Sequence, residues 1–176
     1  MSEMKNRWIG LYVENQVGVL AKISGLFSGK SYNLQSLTVG TTEDETISRM
    51  TICVTSDDIV FEQIKKQLNR MVEVIKVIDM TDASFHMKEI LYAKVTRMTA
   101  EDRDFLFQIE KVFDVGDGSV RVVDINADSA ILESKLTSHR NDDLVTLLKS
   151  QYKNRISVVR GGAVAIESIS TGSRYF

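Results

Sequence analysis

The chain contains no proline and a single cysteine, Cys53, in 176 residues. One cysteine excludes an internal disulfide framework and is typical of a reducing compartment, so we expect a cytoplasmic protein. The absence of proline means that no polyproline linker separates its parts. No apolar run approaches the length needed to cross a bilayer, and residues 1–7 lack the apolar core of a signal peptide. We therefore expect no membrane partner.

An excess of basic charge is also missing. Twenty-two Lys and Arg residues stand against 24 Asp and Glu residues, which gives a net charge of −2 and a pI of about 5.7. Nucleic-acid binding would require a basic face, so this composition argues against a nucleic-acid partner. With 43% apolar residues, the chain is long enough for one ordinary domain or two small ones.

The periodicity of apolar residues predicts the order βαββαβ in the first eighty residues, followed by the same order again. We therefore predict an α+β protein made of two tandem ferredoxin-like βαββαβ domains. A helix is expected to begin near Val19 and to end with Gly29 as a left-handed C-cap. The predicted boundaries are domain 1–80, linker 81–84, domain 85–170 and a loose tail 171–176. Near the end, Gly161-Gly162 is expected to break a strand and to leave Ala163–Ile166 as a short edge strand.

The stretch Glu14–Leu20 is the most informative part of the sequence. It joins a predicted strand to a predicted helix, and it places a side-chain amide, Asn15, beside the free backbone N–H groups of a first helical turn that begins near Gly18. Such a turn suits a small ligand with a carboxylate at one end and an aliphatic tail at the other. The plainer alternative is a β-to-α turn in which Asn15 or Gln16 caps the helix.

Several motifs resemble the small regulatory subunit of acetolactate synthase (acetohydroxyacid synthase), whose first domain belongs to the ACT class of amino-acid-binding modules. These motifs are Glu14–Leu20, Leu26-Phe27, Tyr32-Asn33-Leu34, Ser36–Val39, Ser48–Thr51, Gln63–Leu68 and Val74–Val77. The second half matches in its length, its βαββαβ order and the closing segment Arg160–Ala165.

The resemblance implies a protein without catalytic residues, metal ligands or cofactors of its own. It implies a homodimer formed through the ACT domains that binds the large catalytic subunit, raises its activity and confers feedback inhibition by valine. Thiamine diphosphate, Mg²⁺ and FAD are expected on that large subunit. Family effector sites lie between two ACT domains, and the residues carried over to this chain are Asn15, Gly18, Val19, Leu20, Asn33 and Leu34.

The chemistry of these residues agrees with an amino-acid effector. Gly18, Val19 and Leu20 offer backbone N–H groups to a carboxylate, and the amide of Asn15 or Asn33 accepts from an ammonium group. The side chains of Val17, Val19 and Leu20 are expected to wall the aliphatic part of the ligand. Such a pocket separates valine from leucine or isoleucine by only about 1–3 kcal/mol, so the choice among them stays open.

The chain departs from the family pattern in two places. Ser31 stands where the family usually has glycine, which costs roughly 1 kcal/mol if the position requires a positive φ. In the second half, Asp114–Gly118 replaces the usual Arg-Gly pair after the helix, so any contact made by that pair is in doubt.

Three other functions fit the predicted fold. A tandem RNA-recognition module has the same element order, but the third strand, Ser48–Val54, lacks the aromatic residues on which bases stack. A small enzyme would need a nucleophile or an acid–base pair in a recognisable setting, and the sequence shows none. A stand-alone ACT sensor that regulates another protein is the main alternative.

Overall fold

The computed structural model describes residues 3–81, 84–114 and 116–169. In the first half the elements are β1 (Lys5–Glu14), α1 (Val19–Gly29), β2 (Asn33–Thr41), β3 (Ile47–Ser56), α2 (Asp58–Leu68) and β4 (Val74–Asp79). In the second half they are β5 (Phe85–Val95), α3 (Ala100–Phe113), β6 (Ser119–Ile125), β7 (Ala130–Leu136), α4 (Ser138–Tyr152), a 3₁₀ turn (Lys153–Arg155) and β8 (Ile156–Glu167). The predicted fold class of two βαββαβ repeats is confirmed.

The first sheet has the strand order β2-β3-β1-β4, with antiparallel pairing between all neighbours. Alternate residues of β1 and β3 point to one face, where the two helices cover them. The buried core on that face contains Ile9, Leu11, Val13, Met50, Ile52 and Val54 from the strands, and Ile23, Phe27, Phe61, Ile64 and Leu68 from the helices. Among the residues that the structure describes, no further strand pairs with the outer edge of β2 or of β4.

The end of α1 differs from the prediction. Gly29 is the last helical residue, and the left-handed position is Ser31, with a φ of 55°. The Tyr32 N–H donates to the Phe27 carbonyl at 3.0 Å, and the Ser31 N–H donates to the Ser28 carbonyl at 3.1 Å. These two bonds form a Schellman motif in which Ser31 occupies the position usually taken by glycine.

The second sheet has the strand order β6-β7-β5-β8, and its helix-facing side is built from Leu91, Ala93, Val95 and Leu132. A polar cluster closes one end of this core. Arg155 Nη1 donates to Asp102 Oδ2 at 2.6 Å and thereby lowers the pKa of the Asp102 carboxyl. The Tyr152 hydroxyl donates to the Asp102 carbonyl, and burial raises the pKa of Tyr152 to about 12.

The last strand corrects a second prediction. β8 runs without a break from Ile156 to Glu167, so Gly161-Gly162 does not end it and Ala163–Ile166 is not a separate strand. A glycine is accommodated in an extended strand without interrupting it. At Gly161 a Cβ would lie 3.1 Å from Ile90 Cγ2, so the lack of a side chain there allows the close approach of Ile90.

The described residues form two compact units. The first contains the chain up to His86 together with the residues from Val164 onward, and the second is Met87–Ala163. β8 therefore begins in the second unit and ends in the first. Residues 82 and 83 of the predicted linker and the predicted tail 171–176 lie outside the described residues. In the parts described, no helix is long and apolar enough to span a membrane.

Candidate functional site

The turn between β1 and α1 is organised by Gly18. This residue has a φ of 90° and a ψ of −12°, and it occupies the position immediately before the first residue of α1. A Cβ at Gly18 would meet no atom within 4 Å, so the glycine is required by backbone conformation and not by close packing. Within the described chain no side chain caps α1, so neither Asn15 nor Gln16 serves as its cap.

The beginning of α1 is electrostatically suited to an anion. Its first turn contains no acidic side chain, so the positive end of the helix dipole is not neutralised from within the turn. The Val19 N–H makes a long 3.3 Å bond to the Gln16 carbonyl. One turn further along α1, Lys22 forms an ion pair with Glu73. The hydrogen bond that Lys22 donates lowers the pKa of the Glu73 carboxyl.

Asn15 is anchored to the β2–β3 connection. Its backbone N–H donates to the Thr46 carbonyl at 2.7 Å, and its side-chain Nδ2 donates to the Glu45 carbonyl at 2.8 Å. The Ser48 hydroxyl donates to Asn15 Oδ1 at 3.0 Å. The side-chain amide that was predicted to contact the effector is thus already held by two hydrogen bonds within its own chain, and the backbone of Asn15 is held by a third.

The loop that holds Asn15 is itself internally bonded. Asp44 Oδ1 accepts from the Thr46 N–H at 2.9 Å and from the Thr46 hydroxyl at 2.6 Å, and these bonds lower the pKa of Asp44. The single hydrogen of the Thr42 hydroxyl faces two carbonyl acceptors, Asp44 at 3.0 Å and Ile47 at 3.2 Å. These bonds fix the carbonyl of Glu45 that Asn15 contacts.

The predicted apolar residues lie in different environments. Val17 is fully exposed and Leu20 is nearly half exposed, so both side chains are available to a ligand. The side chain of Val19 is buried in the first core, and its backbone N–H already bonds to the Gln16 carbonyl. The predicted wall for an aliphatic tail therefore contains Val17 and Leu20 but not the side chain of Val19.

The other two predicted residues lie at the opposite end of the sheet. Asn33 is exposed at the beginning of β2 and pairs with Thr55, while Leu34 is half-buried against the core. Asn15 contacts Ser48, and positions 48 and 55 lie about 23 Å apart along β3. Within one chain the structure thus groups Asn15 with the Gly18 turn, but it does not bring Asn33 to them.

A cleft lies on the helix-free face of the first sheet, away from the Gly18 turn. This cleft of about 300 Å³ is bordered by β2, by Tyr12 and Arg49, and by Val164, Ala165 and Ile166 of β8. Arg49 donates from Nη1 to the Tyr12 hydroxyl at 2.5 Å, and Nη1 and Nη2 each donate to Glu167 Oε2 at 3.1 Å. The last residues of β8 therefore partly cover this face of the sheet.

Two family models match the chain. One, described as "AHAS small subunit-like ACT domain", matches residues 9–76, and the other, "Small subunit of acetolactate synthase", matches residues 88–169. The chain belongs to the acetolactate synthase small-subunit family. The resemblance predicted from the motifs of the first domain is thereby confirmed, and it extends over both halves.

Two curated relatives and one solved structure match this chain over nearly their whole length. The "Probable acetolactate synthase small subunit" of Archaeoglobus fulgidus is 38% identical over 90% of this chain and 94% of its own. The small subunit of Haemophilus influenzae is 34% identical over 91% of this chain and 94% of its own. The crystal structure of the Thermotoga maritima small subunit has a TM-score of 0.78 at 29% identity, and the match covers 93% of this chain and 98% of that one.

Sequence reasoning missed Ser48 and the loop Thr42–Thr46 as parts of this site. Ser48 is separated from Asn15 by more than thirty residues, and hydrogen bonds across such a separation leave no local signal. Ser48-Arg49 was among the motifs of the small-subunit resemblance, which was the one available sign. No group of three or more His, Cys, Asp or Glu side chains suited to a metal ion occurs in the described part of the chain.

Proposed function

We propose that this small subunit is a non-catalytic regulator. It binds the large, thiamine-diphosphate-dependent subunit of acetolactate synthase, raises its activity, and confers feedback inhibition when valine binds. Mg²⁺ and FAD would also reside on the large subunit. The observation that carries the proposal is the Gly18 turn, where α1 begins without a side-chain cap or an acidic first turn, three residues after an Asn15 amide that its own chain holds in place. Relatives named as small subunits support a catalytic partner.

A complete effector site requires two copies of the chain. The unpaired edge of β2 can pair with its own copy about a two-fold axis, which would make one continuous sheet and a homodimer. If the antiparallel pairing is centred on Leu37, Asn33 of one copy lies beside Thr41 of the other. Thr41 pairs with Ser48 within its own chain, and Ser48 holds Asn15. Such a dimer brings the two separated halves of the site together in two equivalent places, one for each copy.

The site formed in this way fits a small aliphatic amino acid. The carboxylate binds at the first turn of α1, where N–H groups and the helix dipole favour an anion. The ammonium group donates to the amide oxygen of Asn33 from the second copy. The isopropyl group packs against the exposed side chains of Val17 and Leu20. Valine binding shifts the population of the bound large subunit toward a less active state.

The test compares Gly18→Asp with Gly18→Asn in the complex with the large subunit. Both side chains are similar in size, and both tolerate a left-handed backbone better than most residues do. Aspartate places a negative charge against the effector carboxylate, so we expect loss of valine inhibition with activation retained. Asparagine lacks that charge and should retain much of the inhibition.

Two outcomes would contradict the proposal. Calorimetry of the wild-type small subunit with millimolar valine should show binding, and the affinity should change when the large subunit is added, because linkage is reciprocal. Absence of binding under both conditions would remove valine as the effector. Loss of both activation and inhibition in Gly18→Asp and Gly18→Asn alike would show that the turn has only a structural role.

A further inference from the structure

We propose that Ser48 is a positioning residue of the effector site. It acts through Asn15, whose amide it holds in one orientation for contact with the effector carboxylate. This inference rests on the proposed function for its ligand, while the contact between Ser48 and Asn15 stands on the geometry alone. The two side chains meet at 3.0 Å although they lie 33 positions apart in the sequence.

The orientation of the Asn15 amide follows from its partners. A backbone carbonyl can only accept a hydrogen bond, so the atom facing the Glu45 carbonyl at 2.8 Å must be the amide nitrogen. The amide oxygen then faces Ser48, and the Ser48 hydroxyl must donate to it. Neither contact uses the second hydrogen of Nδ2. That hydrogen is therefore left to donate to another acceptor, and a carboxylate suits it.

Ser48 is a rigid support for this amide. It is only 6% exposed and lies in the middle strand of three, opposite Val13 on β1 and opposite Thr41 on β2. The turn that it supports is exposed from Asn15 through Gly18. The sheet thus fixes the side chain that an exposed turn alone would leave free to rotate, and a fixed donor loses less entropy when it binds a ligand.

The first experiment observes the Asn15 side-chain amide of the full chain by NMR, without any ligand. Ser48→Ala should shift both amide proton signals and speed their exchange with solvent by about fivefold or more. Ser48→Thr keeps a hydroxyl on a strand position and should restore the wild-type signals. Ser36→Ala removes the same group from the neighbouring strand β2 and should leave them unchanged. Unchanged Asn15 signals in Ser48→Ala would overturn the positioning role.

The second experiment is a double-mutant cycle on valine affinity, measured by calorimetry well below the melting temperature. Ser48→Ala should weaken binding by about tenfold, and Asn15→Ala by at least as much. Because Ser48 acts through Asn15, the double variant should bind no more weakly than Asn15→Ala alone. If the affinity losses of the two single variants multiply in the double variant, the inference is overturned. If the wild-type chain binds no valine, the proposed function fails, while the NMR result still decides whether Ser48 positions Asn15.

Discussion

Ser31 adopts a left-handed conformation that is costly for any residue with a Cβ. Replacing it with glycine removes that cost but adds conformational freedom to the unfolded chain, so the gain is partial. We expect Ser31→Gly to raise the free energy of unfolding of the first unit by roughly 0.5–1 kcal/mol. Chemical denaturation followed by circular dichroism would measure it.

Ser28→Gly is the matched control for this substitution. Ser28 belongs to the last turn of α1, where the backbone is helical, so glycine there should lower the stability by about 0.5 kcal/mol. Two identical substitutions three residues apart should therefore change stability in opposite directions. Equal destabilisation by both would show that the left-handed backbone at position 31 does not strain the chain.

The conformation of Ser31 could be anticipated only in part from the sequence. The family pattern indicated a glycine position and left open whether it requires a positive φ; Ser31 has one. Composition predicts Gly29 as the C-cap, because glycine is the usual residue there. The two hydrogen bonds of the Schellman motif instead place the left-handed residue two positions later, at Ser31.

The last segment of β8, Val164–Glu167, supplies the counter-charge to a largely buried guanidinium. The side chain of Arg49 is 17% exposed and that of Glu167 is 25% exposed. Removing the carboxylate leaves the cation buried without its ion pair, which costs more than the pair contributes. We expect Glu167→Gln to destabilise the first unit by about 1–3 kcal/mol, measured by hydrogen exchange of β1 and β3 amides.

Asp117→Asn provides a control for the loss of an ion pair at the surface. Asp117 pairs with Lys88 at 2.6 Å, but its side chain is 77% exposed. Exposed pairs contribute little to stability, so this variant should leave hydrogen exchange of the β5 amides beside Lys88 at the wild-type rate. If Glu167→Gln also left exchange unchanged, the contact with Arg49 would not hold the segment to the first sheet.

At the level of elements, periodicity predicted most strands and helices because each buries one face. β8 is the exception, since two consecutive glycines predict a break that the strand does not have. Gly161 lies against a neighbour that is far away in sequence, since a Cβ there would come within 3.1 Å of Ile90 Cγ2 on β5. Local composition carries no information about such a contact.

The proposed dimer predicts complementation between two defective chains. Gly18→Asp damages the turn, and Asn33→Ala damages the other half of the site, so neither homodimer should bind valine. In a mixed dimer one site carries both defects and the other carries none. Random mixing of equal amounts should therefore restore about a quarter of the wild-type number of sites, counted by calorimetry.

Mixing two defects from the same half is the appropriate control. Gly18→Asp combined with Asn15→Ala leaves a damaged turn in every site, so mixing should restore nothing. Recovery in this control, or no recovery in the first mixture, would contradict a site shared between two copies through the β2 edges.

For the whole molecule, the tandem fold could be predicted because both halves repeat the same pattern of apolar residues. The distance between Asn15 and Asn33 could not be predicted, although both residues belong to one family pattern. Their separation follows from the register of β3, which places Ser48 near one end and Thr55 near the other. Register is set by pairing across the sheet, and sequence order does not reveal it.

The first unit is discontinuous in sequence, and this affects its synthesis. Its β1–β4 sheet emerges from the ribosome early, but the segment that carries Glu167 follows only after the whole of Met87–Ala163 has been translated. At a typical elongation rate this delay lasts roughly 4–15 seconds, which is long compared with the folding of a small domain. During that interval the nascent first sheet must retain Arg49 without its carboxylate partner. The order of translation thus makes the contact with Arg49 a late step in maturation.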